Sequence, residues 1–167
     1  IKNLELFKVS GFPSKRHEDW KFSDFKTIIN NNFNELDVKK VYSDINRIDL
    51  LKEFEHNYIL LVNGNLHSSN FDYEEKSKIK INTYDKSIDY TISKNPLVCL
   101  NHALAENGYS LEIDKNYKFK KVLVIYNFFK KDAKNKILNN KNKIKLNENS
   151  ELHAIEYNIN ESNSKFI

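Results

Sequence analysis

Residues 11–25, GFPSKRHEDWKFSDF, bring together a basic run, an acidic pair and the only tryptophan of the chain. Glu18 and Asp19 are residue types that serve general acid–base chemistry. Arg16 offers a planar fork to a carboxylate, and Lys21 can lay its stem along an aromatic ring. Adjacent carboxylates among lysines are, however, the usual make-up of a charged surface. Trp20 can bury about 150 Å² or more, and truncating it in a packed site costs roughly 3–5 kcal/mol. The group reads as a structural clasp between a turn and the following helix.

The other candidates for chemistry are dispersed. His17, His56, His67, His102 and His153 show no pair at zinc-like spacing, and Cys99 is the single cysteine. Cys99 sits mid-helix among apolar residues, the setting of a buried, inert thiol. With 3 glycines in total there is no material for a phosphate-binding loop, and no nucleophile elbow is present. The stretch KFKKVLVIYNFFKKDAKNK interleaves basic and aromatic residues, as nucleic-acid binding requires. As a strand, though, it puts Tyr126 and Phe128 on one face and Phe129 on the other, among Val and Ile. That pattern is a core, and no nucleic-acid partner is expected.

Composition sets the frame around these residues. The chain has 167 residues, 40% hydrophobic and 30% charged, which suffices for a real core in one domain or slightly more. Its net charge of +4 is mild, and acids are interspersed with lysines, so no strongly basic face is expected. One cysteine excludes an internal disulfide framework and fits a reducing compartment. No apolar run approaches the roughly 20 residues of a membrane span, and the opening IKNLELFKVS is not a signal-peptide pattern. A start at Ile1 and an end at SNSKFI read as a fragment of a longer chain.

The elements that must position these groups are punctuated by turn and cap residues. LELFKV (residues 4–9) reads as a helix end stopped by Gly11 and Pro13, and Ser23 as the N-cap of a helix beginning DFKTII. SDINRIDLLKEFEH predicts a helix capped by Ser43 or Asp44, with Ile45, Ile48, Leu51 and Phe54 in one stripe. A strand over 58–62 runs into Asn63-Gly64, a hairpin turn signal. Residues 72–92 give only weak strand or loop signals. Asn95 and Pro96 start a helix, with Leu97, Leu100 and Leu104 along one face and Gly108 just past its end. YSLEI and KVLVIYNFF then read as strands, the second covered on both faces. Two alternating runs follow, broken by the turn NENS. The expected class is α+β, with a helical and α+β region over 1–114 and a β-rich region over 115–167.

GFPSKRHEDWKFSDF resembles the early signature of the SufD family, components of the SUF iron–sulfur cluster assembly system. The family pattern is Gly-Leu-Pro, a basic pair, an acidic residue, then Trp-Lys-Tyr-Thr. Gly11, Pro13, Lys15, Arg16, Glu18, Trp20 and Lys21 match it, whereas Phe22 and Ser23 depart conservatively. YILLVNGNL, LVCLNHALAENG, KVLVIYNF and IKLNENSELHAIEY follow in the family's order. The resemblance implies that residues 115–167 begin a truncated right-handed parallel β-helix. It implies a non-catalytic scaffold that works with SufB and the ATPase SufC, in the bacterial cytoplasm or a plastid. The cluster would be handled by the full complex, with no cofactor held by this segment. The family's cluster-assembly residues and its SufC contact would lie beyond Ile167, so no catalytic or metal-ligating residue transfers. The matching residues transfer only as family markers and structural contacts. The unpaired strands at the end of such a segment are expected to drive self-association. The alternative is a stand-alone α+β interaction module that binds an acidic protein or RNA surface.

Overall fold

Alternating apolar residues and turn-forming asparagines account for most of the observed architecture. The computed structural model describes residues 2–15, 18–32, 49–88, 93–131 and 138–161. Among these lie three α-helices, α1 (Lys2–Ser10), α2 (Phe25–Asn32) and α3 (Pro96–Leu104). Seven strands accompany them: β1 (Asn57–Val62), β2 (Asn65–Asn70), β3 (Ile79–Thr83), β4 (Asn107–Ile113), β5 (Leu123–Phe129), β6 (Asn140–Leu146) and β7 (Ala154–Asn160). The class is mixed α+β. Two mixed sheets, neither closed into a barrel, have the orders β2-β1-β5-β7 and β3-β4-β6.

β1 and β2 form a hairpin because Asn63 and Gly64 both take positive φ, 47° and 80°, as a tight two-residue turn demands. The Asn63 side chain then accepts the Lys130 amide at 2.9 Å, which ties the turn to the end of β5. β1, β5 and β7 run parallel in the first sheet, and β4 and β6 run parallel in the second. From β4 onward the path alternates between the sheets, and each return lays the chain beside its earlier passage.

The core lies between the sheets. Ile59, Leu61, Tyr109, Leu111, Ile113, Leu123 and Ile125 meet there with Phe71 and Tyr117. Burial pushes the Tyr109 hydroxyl up to about 12, with the Glu156 charge adding to the shift. Leu60, Val62, Val124 and Tyr126 make a second buried cluster on the opposite face of the first sheet, beneath Leu50 and Leu51. β5 is therefore covered on both faces, as its unbroken apolar run predicts.

Three local expectations need correction. The predicted helix over 43–56 does not extend through 49–56, which is irregular. Leu51 donates its amide to the Tyr126 hydroxyl at 3.1 Å instead of to a helical carbonyl, and with Leu50 it packs on the second cluster. Burial against the sheet overrides helical periodicity here. Ser43, Asp44, Ile45 and Ile48 lie outside the described residues. The cap of α2 is Asp24, not Ser23: its Oδ1 accepts the Thr27 amide at 3.0 Å, which holds the carboxyl below the usual range.

Gly108, expected just past the end of α3, lies inside β4 with φ +119°. A Cβ there would sit 2.0 Å from the Lys141 carbonyl oxygen, so the glycine permits close approach of β4 and β6. α3 instead ends through Ala105, whose amide bonds to the Asn101 carbonyl at 2.7 Å. Its start is as expected, with Asn95 Oδ1 accepting the amides of Leu97 and Val98. The buried positions of α3 are Cys99 and His102, while Leu97, Leu100 and Leu104 are only half-buried.

Candidate functional site

The 11–25 stretch folds around a chain of aromatic rings. α1 stops where the Gly11 amide bonds to the Phe7 carbonyl and Gly11 takes φ 67°, and Pro13 just beyond is buried. Phe7 meets Phe12 edge-on with centroids 5.1 Å apart, Phe12 meets Phe25 at 5.7 Å, and Phe25 meets Trp20 at 5.7 Å. Four rings thus link α1, the turn and α2, in the offset and edge-to-face geometries that aromatic quadrupoles favour. Trp20, in a short 3-10 turn with Glu18, is half-buried. Lys15, Glu18 and Lys21 are exposed, and the Lys21 ammonium lies 5.0 Å from the centre of the Phe22 ring. Arg16 and His17 lie outside the described residues. The stretch thus brings Phe12, Trp20 and Phe25 into one cluster with Phe7, buries Pro13, and leaves Lys15, Glu18 and Lys21 exposed.

The densest polar arrangement lies elsewhere, at Glu74, in a stretch whose sequence signalled little. Glu74 is buried beside the loop that joins β4 to β5. The Lys120 amide donates to both its oxygens at 3.0 and 3.1 Å, and the Lys121 amide donates to Oε1 at 3.0 Å. Asn57 Nδ2 and the Tyr117 hydroxyl each donate at 2.8 Å. Tyr117 in turn accepts the Glu75 amide at 2.7 Å. Burial alone would raise the Glu74 carboxyl, but these donors outweigh it and hold the group below the usual carboxylate range. Asn57 Nδ2 also reaches the Lys121 carbonyl at 3.2 Å, and its Oδ1 is buried without a partner. Flipping the amide would aim that oxygen at the carboxylate, so one unmade bond is the cheaper arrangement. The carboxylate thus acts as a latch between the loops that follow β2 and β4.

A second polar contact fixes the irregular segment 49–56 against the first sheet. His56 Nδ1 lies 2.9 Å from the Phe54 carbonyl, which can only accept, so this nitrogen carries the hydrogen. In the neutral ring Nε2 is then the acceptor, to which the Tyr126 hydroxyl donates at 2.7 Å. The same hydroxyl accepts the Leu51 amide, and burial raises its pKa. Near the start of β6, the Lys141 ammonium donates to His102 Nδ1 at 2.8 Å. Cys99 is buried and donates its thiol to the Ser93 carbonyl at 3.0 Å.

Of the five histidines, the four described ones thus lie in separate settings, and His67 and His153 are exposed. Among the described residues, no group of three or more His, Cys, Asp or Glu side chains could hold a metal ion. None of their helices is long and apolar enough to cross a membrane. Reasoning from sequence missed the Glu74 latch because its donors come from residues 57, 117, 120 and 121, so no local spacing announces it. No protein-family model matches the chain, and no curated protein matches it significantly.

Proposed function

We propose that this chain is a scaffold segment of the SufD type, serving iron–sulfur cluster assembly with SufB and the ATPase SufC. The observation that carries the reading is the motif Gly11, Pro13, Lys15, Arg16, Glu18, Trp20 and Lys21, with the later segments in the family's order. The strand path supports it: β4 and β6 stack in one sheet, β5 and β7 in the other, as successive coils of a parallel β-helix would. In this role the chain contributes folded surface, and ATP hydrolysis belongs to the partner.

Affinity purification of the complete protein from its own cells, followed by mass spectrometry, tests the proposal. SufB and SufC are expected to co-purify in comparable amounts. The segment 1–167 alone is expected to retain SufC poorly, since the family resemblance puts that contact further along the chain. Recovery of the complete protein without either partner would overturn the reading.

A further inference from the structure

The outer faces of the two sheets have opposite chemistry. On the first sheet, Leu60, Val62, Val124 and Tyr126 form an apolar face. On the second, the residues alternating with the core positions are Lys80 and Asn82 on β3, Gly108, Ser110 and Glu112 on β4, and Lys141, Lys143 and Lys145 on β6. Register sets them in rows: Lys80, Glu112 and Lys145 form one, and Asn82, Ser110 and Lys143 the next. The central strand carries no side chain at Gly108 and only a hydroxymethyl group at Ser110. Long side chains flank it on both neighbours. The result is a shallow trough whose walls, two strand spacings apart, are about 10 Å from one another.

Charge and spacing define what fits. Lys80, Asn82, Lys143 and Lys145 are exposed. Glu112 is the one acid among these rows, and Lys145 at 2.7 Å with Asn147 at 3.0 Å already engages it and lowers its pKa. α3 reaches only the Asn140–Lys141 end of β6, through Asn101 and His102. Lysines two residues apart on β6 are spaced by about 6.6 Å, the distance between same-face side chains of an extended peptide. The middle row offers an amide, a hydroxyl and an ammonium, all able to donate to a carboxylate. Base stacking would need aromatic rings along the trough, whereas Tyr84, at one end, already lies under the Lys141 ammonium at 5.8 Å. Among the described residues no arginine supplies a fork for phosphate.

We propose that this trough is a docking surface for an acidic protein segment in extended conformation, whose alternate carboxylates face Lys80, Lys143 and Lys145. The inference is independent of the scaffold reading, because it rests on this face alone.

Fluorescence anisotropy on the folded 167-residue chain tests it. The probes are a labelled peptide of alternating glutamate and serine and a labelled oligouridylate of equal charge. Saturable peptide binding is expected, weakened about tenfold by the pair Lys80→Glu and Lys143→Glu, through loss of two cross-strand charge pairs and gain of two repulsions. Ser110→Gln, which fills the trough at unchanged charge, is expected to weaken binding too. The pair Lys8→Glu and Lys26→Glu alters net charge equally and is expected to leave the peptide affinity unchanged. Equal weakening by both pairs, full affinity in Ser110→Gln, absence of saturable peptide binding, or tighter binding of the oligouridylate would each overturn the proposal. Circular dichroism of every variant ensures that a folded chain is being read.

Discussion

Glu74 shows what one buried carboxylate contributes when its donors are amides and side chains brought to it by the fold. Its folded pKa lies below the ordinary carboxylate value of 4.5, so the stability it adds is fully present above that value. That contribution is lost as pH falls from about 4.5 through the depressed folded pKa. Thermal melts from pH 7 down to pH 3 are expected to show the wild type losing stability more steeply than Glu74→Gln. At pH 7 the variant is expected to be weaker by roughly 1.5–3 kcal/mol, because an amide cannot accept all the donors that a carboxylate does. Parallel pH profiles for the two proteins would remove Glu74 as the acid-sensitive latch. The Tyr117 hydroxyl is raised chiefly by burial, with the Glu74 charge adding to it, so it stays a donor throughout this range.

At the scale of elements, the aromatic chain from Phe7 through Phe12 and Phe25 to Trp20 couples α1 to α2. Trp20→Ala is expected to cost about 2 kcal/mol, from a half-buried ring and one edge-to-face contact. Lys26→Ala, on the exposed side of α2, is expected to change stability little, and chemical denaturation of both variants is the check. Equal, small effects would reassign Trp20 to the surface. Elements whose causes are local were legible in the sequence. Asn63-Gly64 forms its turn from two residues, Asn95 and Pro96 start α3 unaided, and the apolar run of β5 announces burial on both faces. Elements decided by distant partners were not legible. Leu51 is tied to Tyr126 instead of to a helical carbonyl, and Gly108 is required by the backbone of Lys141. The motif around Trp20 was visible as residue types, but its packing also depends on Phe7 of α1, which no spacing rule connects to it.

For the whole molecule, the decisive feature is the open side of the two stacked sheets. Among the described residues β6 and β7 are the outermost strands there, with Ile144 40%, Leu146 48%, Ile155 46% and Tyr157 43% exposed. Leu111 and Ile113, facing the core, stand beside Ile144 and Leu146, so the apolar interior continues to the rim. Such an edge offers unpaired backbone groups and apolar side chains to another chain. Light scattering on residues 1–167 is expected to show association that grows with concentration, reduced by Ile144→Lys together with Leu146→Lys. A monodisperse monomer over the whole concentration range would contradict it.

The parallel pairing of β1 with β5 also orders events during synthesis. The β1–β2 hairpin closes from adjacent residues, yet its apolar neighbour on the other side, from Leu123 to Phe128, is made much later. Until β5 leaves the ribosome, Leu60 and Val62 have only β2 beside them and the second cluster lacks Val124 and Tyr126. The Glu74 latch is incomplete over the same interval, because the amides of Lys120 and Lys121 immediately precede β5. The nascent chain therefore spends the period between these two strands with apolar surface exposed, and pauses in translation there lengthen its exposure to chaperones and proteases.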